Sequence, residues 1–167
     1  MALIDFQKYS KEYDNLLKYS TPYIELLDTL KLLINKHLPN PTNIDVLDVG
    51  AGTGNISKII EDSVDIERIT KMVLVEPSKE MLSLARTKLK GRSIEFFSGT
   101  FEEYTTNNKF DLIVCIHALY LMPDPHSLID RFSNYMDNDS LLVICDIGSE
   151  IKINKKGAKK PLIKLLT

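Results

Sequence analysis

The stretch Val46-Leu47-Asp48-Val49-Gly50-Ala51-Gly52-Thr53-Gly54-Asn55 decides the reading of this chain. An apolar run of strand length enters a turn of alternating glycines, and a helical pattern follows from Asn55. Glycine admits backbone angles closed to other residues and leaves no Cβ between the main chain and a ligand resting on it. Two readings compete: a bare strand–helix connection, or a shelf for a nucleotide or nucleoside-like ligand. Gly50, Gly52 and Gly54 together exceed what a bare connection needs and favour the shelf. The spacing narrows the ligand. A dinucleotide turn reads G-x-G-x-x-G; Gly50 and Gly52 fit it, but Asn55 stands where the last glycine belongs. No Lys-Ser/Thr pair follows, so it is not a phosphate-binding P-loop either. The next apolar run ends Val73-Leu74-Val75-Glu76. An acid at the tip of a neighbouring strand accepts hydrogen bonds from both hydroxyls of a ribose. The competing reading of Glu76 is a solvated acid before the turn at Pro77.

Working outward, short runs rich in Val, Ile and Leu recur at Ile44–Val49, Lys71–Val75, Ser93–Phe97, Phe110–Ile116 and Ser140–Ile144. They read as strands buried on both faces. Helical stretches lie between them: Asn55–Asp62; Lys79–Lys90, capped by Ser78; and a helix capped by Asp124 and opened by Pro125, with Leu128, Ile129, Phe132 and Met136 facing inward. Ahead of the first strand, Ile24, Leu27, Leu30, Leu33, Ile34 and Leu38 form one helical stripe, with Thr21 as N-cap and Pro39 and Pro41 as terminators. The expected fold is α/β: a doubly wound, mostly parallel sheet of about five strands, helices on both faces, and an N-terminal helical segment. Ligands of such sheets sit beyond the carboxyl ends of the strands.

The chain has 167 residues, 44% hydrophobic and 26% charged, with a formal net charge of −2. That is the mix of a globular domain, not of a disordered chain. Near-neutral charge offers no broad attraction for a phosphate backbone, so no nucleic-acid partner is expected. No apolar run approaches the roughly 20 residues of a membrane helix. The N-terminus lacks the pattern of a signal peptide, so a cytoplasmic location is expected. Cys115 and Cys145 each lie in an apolar run and read as buried hydrophobes of a reducing compartment, with no disulfide and no metal site expected.

These segments resemble the class I S-adenosylmethionine-dependent methyltransferases, in their small-molecule branch. Val46–Gly54 looks like the glycine-rich motif of that family, Leu74–Leu82 like its second motif, Phe110–Pro125 like its fourth-strand segment and Leu141–Gly148 like its fifth strand. The resemblance implies a Rossmann-like fold, S-adenosylmethionine as cofactor, S-adenosylhomocysteine as product, and a small-molecule methyl acceptor. It also implies roles. Main chain at Gly50, Ala51 and Gly52 holds the methionine part, and Glu76 the ribose. Pro77 and Met81 pack on the adenine. Gly99, Thr100 and Phe101 lie where the adenine edge is recognised; many members carry an acid at the position of Thr100, a duty open here to Glu102 or Glu103. Cys115 lies near the methionine end. Tyr13, in a segment resembling the aromatic N-terminus that folds over the cofactor, either closes the site or packs down from a surface helix. The implied organisation is an N-terminal helical cap over residues 1–40, a cofactor-binding domain over 41–148, and a Lys-rich tail over 149–167.

Methyl transfer from a sulfonium asks mainly for positioning and exclusion of water, with a base only where the nucleophile carries a proton. His117, just past the fourth strand, is the candidate catalytic residue; the alternative is a histidine packed between strand and helix. Tyr120 reads as acceptor wall or core, and Asp146 as acceptor-facing or turn-forming. Ile116-His117-Ala118-Leu119 replaces the Asn/Asp-Pro-Pro-Tyr/Phe pattern of the amine and DNA-base methylators, which favours a small-molecule acceptor. The family fold ends in a strand hairpin for which the residues after Asp146 are too few. The tail is therefore expected to be the start of a truncated helix, leaving the fifth strand exposed for self-association. Two alternatives stand beside the enzyme: a catalytically silent cofactor-binding module acting through a partner protein, and a nicotinamide oxidoreductase, the latter disfavoured by Asn55.

Overall fold

Apolar runs too short for buried helices find partners by lying side by side, and here they make one sheet. The computed structural model describes residues 12–15, 17, 19–38, 43–64, 66–90, 93–145 and 162–166. Its strands are β1 (Ile44–Val49), β2 (Ile69–Glu76), β3 (Ile94–Ser98), β4 (Leu112–Ile116), β5 (Leu141–Cys145) and β6 (Leu162–Leu166). They lie in the order β3-β2-β1-β4-β5-β6, and every pairing is parallel. The chain winds outward from β1 through β2 to β3, then returns to place β4 on the other side of β1. That reversal leaves a crevice at the carboxyl ends of β1 and β4.

The helices are α1 (Thr21–His37), α2 (Asn55–Ser63), α3 (Lys79–Lys88) and α4 (Pro125–Ser133). Residues 12–15 and 17 are helical ahead of α1. Ser78 caps α3 by accepting the Met81 N–H at 3.3 Å, and Asp124 caps α4 by accepting the Ser127 N–H at 3.3 Å. The N-cap position of α1 is Ser20 rather than the expected Thr21, which is already helical. Its inner face is Tyr23, Leu26, Leu30, Leu33 and Ile34, while Ile24 is 46% exposed. The steps from Tyr23 follow one stripe of a 3.6-residue helix, and Ile24 lies about 100° around from it.

Strand side chains alternate, and this splits the core in two. Ile44, Val46, Met72, Leu74, Leu112, Val114, Leu141 and Val143 pack beneath α1, α2 and α3. Leu47, Val49, Val73, Val75, Ile113, Cys115, Leu142 and Ile144 pack on the other face with Phe101, Phe110, Phe132 and Tyr135. Phe101 stacks on Phe132 at 4.7 Å between centroids.

The end of the chain departs from expectation. Among the described residues the sheet, expected at about five strands, has six. Leu162–Leu166, expected at the start of a helix, pairs in parallel with all of β5, from Leu141↔Leu162 to Cys145↔Leu166. The edge of β5 is therefore occupied, which removes the exposed strand on which self-association was reasoned. Five consecutive residues with three Leu and one Ile satisfy their backbone on a ready strand edge more fully than in an isolated helical turn. Asp146 lies outside the described residues. No helix among the described residues is long and apolar enough to cross a membrane.

Candidate functional site

The glycine turn sits at the switch point, between the tips of β1, β2 and β4. Gly50, Gly52 and Gly54 all have positive φ, at 72°, 55° and 78°. At Gly50 a second constraint applies: an added Cβ would stand 2.2 Å from the Ala118 Cβ. At Gly52 the nearest atom to an added Cβ is the Met81 Sδ, at 3.7 Å, so packing leaves room there. The amides of the turn are engaged internally. Gly50 and Ala51 both donate to the Val75 carbonyl, at 2.9 and 3.2 Å. Gly52 donates to the Glu76 carboxylate at 3.0 Å. The turn thus offers an uncluttered surface more than spare N–H donors.

Glu76 is 7% exposed at the tip of β2. Its Oε2 accepts the Gly52 N–H and its Oε1 accepts the Ser78 N–H at 2.8 Å. Burial pushes its carboxyl above the usual carboxylate range, and the two amides oppose that rise. A carboxylate offers about four lone-pair sites, so both oxygens keep acceptor capacity toward the space they face. That space is a cavity of about 300 Å³, at the small end of the range for ligand sites.

The cavity brings together Tyr13, Gly50, Gly52, Glu76, Pro77, Met81, Thr100, Phe101 and His117 of the expected site residues. Ala51 lines a smaller recess beside it, under Tyr13 and Tyr23. Gly99 and Cys115 are not on the wall. Gly99 donates its N–H to the Glu76 carbonyl at 3.2 Å, behind the carboxylate. Cys115 is fully buried in the core beside Phe101, one residue short of the tip of β4, and Ile116, the last residue of that strand, lines the cavity instead. Between the two acids near Thr100, the structure distinguishes. Glu103 turns back to accept the Thr100 N–H at 2.8 Å, whereas Glu102 lines the cavity. Tyr120 is 38% exposed and so not core, and it lies near enough to Tyr13 to act on its hydroxyl electrostatically.

His117 is the one non-glycine residue with positive φ, at 52°, among the described residues. A backbone held there at some cost is found where a side chain must be aimed. Its N–H donates to the Cys145 carbonyl at 2.7 Å, and its ring lies 6.1 Å from that of Tyr23. Ala118, Leu121, Met122 and Pro123 continue the wall beyond it. Sequence alone does not mark those four as site residues, because an apolar run after a strand signals a helix or core as readily as a cavity.

Two further groups sit under the turn. Asp48 is 1% exposed and accepts the Ser57 hydroxyl at 2.6 Å. Burial pushes its carboxyl up to about 7, Ser57 works against the rise, and Glu76 adds to it. An unfolded Asp titrates near 3.9. Between those two values the folded chain holds a proton that the unfolded chain has released, so this group's contribution to stability declines as pH rises from about 4 to about 7. Asp48→Asn keeps an acceptor for Ser57 and removes the charge. Thermal melts should show the variant gaining on wild type between pH 5 and pH 8, by about 1–3 kcal/mol at the upper end; parallel curves would refute the assignment.

The second group joins the N-terminal segment to the turn. The Asp14 carboxylate accepts from the Thr53 hydroxyl at 2.5 Å and the Asn55 amide at 2.9 Å, and pairs with Lys88 at 2.5 Å. Burial alone would raise its carboxyl; hydrogen bonds from Lys88, Thr53 and Asn55 hold it below the usual range.

A parallel doubly wound sheet, a glycine turn at its switch point and an acid at the tip of the adjoining strand define a Rossmann-like α/β protein. Comparison with known proteins gives the family. Residues 23–164 match the family model described as a methyltransferase domain, and the chain belongs to that family. It is 25% identical over 161 residues to the malonyl-[acyl-carrier protein] O-methyltransferase of Acetivibrio thermocellus, covering 94% of this chain and 54% of that protein. It is 28% identical over 136 residues to the ubiquinone biosynthesis O-methyltransferase of Glaesserella parasuis, covering 77% of this chain and 56% of that protein. The chain thus spans a little over half the length of these relatives. Among solved structures, an S-adenosylmethionine-dependent methyltransferase from Clostridium acetobutylicum superposes with a TM-score of 0.65 at 23% identity, covering 83% of this chain and 56% of that one. The plantazolicin methyltransferase BpumL in complex with SAH does so with a TM-score of 0.63 at 21% identity, covering 81% and 50%. These likenesses show the fold.

Proposed function

We propose that the chain binds S-adenosylmethionine in the cavity over the glycine turn and transfers its methyl group to a small-molecule acceptor by in-line displacement. The observation that carries this reading is Glu76, a buried carboxylate oriented by the Gly52 and Ser78 amides and opening on a cavity walled by Pro77 and Met81. Its remaining lone pairs suit two vicinal hydroxyls of a ribose. Pro77, Met81 and Phe101 offer the apolar faces an adenine needs, and Thr100 and Glu102 stand where its polar edge would lie. The bare surface at Gly50 and Gly52, with the recess at Ala51, takes the amino-acid end.

Bound there, the cofactor supplies a methyl already activated by a positive sulfur. The protein's own residues then have three tasks. Glu76 and the turn fix the reacting carbon in place. Ile116, Ala118, Leu121 and Met122 exclude water from the acceptor side. His117, at the junction of both spaces, accepts the proton that an acceptor hydroxyl gives up as its oxygen gains the methyl. The two relatives named above are O-methyltransferases, which supports an oxygen nucleophile on a free or carrier-linked small molecule.

Calorimetric titration with S-adenosylhomocysteine should give saturable one-to-one binding, and labelled S-adenosylmethionine should pass its methyl to members of a hydroxyl-bearing metabolite panel. His117→Gln is expected to keep the binding and lose the transfer. Absence of binding by the wild type would overturn the reading; binding without transfer to any acceptor would replace it with a silent cofactor-binding module.

A further inference from the structure

The network at Asp14 links four side chains, and Tyr23 adjoins it through a hydrogen bond with Asn55. The Lys88 ammonium has three donors, and three acceptors meet it: the Asp14 carboxylate at 2.5 Å, the Thr53 hydroxyl at 2.9 Å and the Asn55 amide oxygen at 2.7 Å. Thr53 and Asn55 each turn their donor to Asp14 and their acceptor to Lys88. Four side chains, from the N-terminal helical segment, the glycine turn, the start of α2 and the end of α3, thus satisfy one another. A lone surface ion pair contributes little, because water competes and two long side chains must be ordered. This one differs: Thr53 is 1% exposed, and the pair is 24% and 35% exposed at Lys88 and Asp14. Partial burial and shared partners strengthen each bond.

The network joins segments that chain connectivity leaves free of one another: Asp14 is 39 residues from Thr53, and Lys88 is 33 from Asn55. Next to Asp14 stands Tyr13, which lines both the main cavity and its recess. Fixing Asp14 therefore fixes where Tyr13 stands over the opening.

We propose that Asp14 and Lys88 are positioning residues of this site: their ion pair, closed through Thr53 and Asn55, pins the N-terminal segment so that Tyr13 covers the cavity and slows the escape of what is bound. The inference rests on the cofactor reading of the cavity and adds to it a determinant of residence time. Neither residue touches the reacting atoms.

The test compares wild type with Lys88→Met, which keeps the aliphatic stem without the donors, and Lys88→Arg, which keeps charge and donors. Hydrogen exchange over residues 12–15 is read without ligand; S-adenosylhomocysteine dissociation is read by stopped flow at low and high salt. Lys88→Met should exchange faster over that segment and release the ligand about tenfold faster. Its release should be insensitive to salt, while wild-type release speeds up as salt screens the pair. Lys88→Arg should restore most of both effects. Faster exchange with unchanged dissociation would reduce the network to a structural tie and overturn the proposal, as would unchanged exchange. A wild type that binds no S-adenosylhomocysteine would end the cofactor reading, and with it the proposed effect on residence time; exchange over residues 12–15 would then still show whether the tie itself exists.

Discussion

Replacing Glu76 by Gln is expected to weaken S-adenosylhomocysteine binding by about 1.5–3 kcal/mol, the worth of hydrogen bonds to a charged group, or roughly 10- to 150-fold. The geometry makes the isosteric change severe. Two main-chain donors, Gly52 and Ser78, converge on the two carboxylate oxygens. An amide has one oxygen, so its NH₂ must face one of those N–H groups, and the side chain rotates or the turn shifts. The hydroxyls of a bound ribose then lose a charged acceptor. Titration calorimetry checks the loss; unchanged affinity would remove Glu76 from the site. Protonation should act like the substitution. Because burial raises this carboxyl above its ordinary range, affinity should begin to fall on acidification at a higher pH than an exposed Glu, near 4.3, would give.

Gly50→Ala is expected to cost about 2–5 kcal/mol of folding stability, from two sources. A left-handed φ of 72° costs a non-glycine residue about 1–2 kcal/mol. The added methyl, 2.2 Å from the Ala118 Cβ, costs a further 1–3 kcal/mol or so by overpacking. The second source can be separated, because Ala118→Gly in the same chain removes the clash and leaves the backbone cost. Gly52→Ala is the contrast: its Cβ meets only the Met81 Sδ at 3.7 Å, so the fold should lose about 1–2 kcal/mol and the methyl intrudes on the cavity instead. Denaturant titration of these three variants beside wild type checks the two contributions. Equal destabilisation by Gly50→Ala and Gly52→Ala would show that Ala118 yields, and that both glycines answer to backbone angle alone.

These two residues also show how much was legible beforehand. The glycines and the acid one strand over carry their chemistry in their identity: positive φ needs glycine, and a buried carboxylate at a strand tip needs a ligand or amides. Spacing alone placed them on one crevice, because a parallel sheet puts successive strand ends side by side. Helix caps at Ser78 and Asp124 were equally plain, being contacts within three residues. Period-2 alternation, by contrast, fixes that Cys115 and Ile116 face opposite ways but not which of them meets the cavity, which is decided by where β4 ends: Ile116 stands at its tip.

Asn55 marks the same boundary. In the sequence it was merely the residue that breaks a dinucleotide pattern. In the structure its amide is shared between Asp14 and Lys88, so the position serves a contact that glycine cannot make. The sixth strand was unreadable for a similar reason: an apolar pentapeptide becomes a strand only where a β5 edge is waiting for it. What the chain determined by itself is therefore whatever depends on local backbone angle and hydrophobic period: the alternating elements, the turn, the acid at its side. What tertiary structure alone decided is whatever depends on distant partners, among them the closure of Asp14 on Lys88, the aim of His117 and the covered edge, because those energies exist only between residues that the fold first brings within reach.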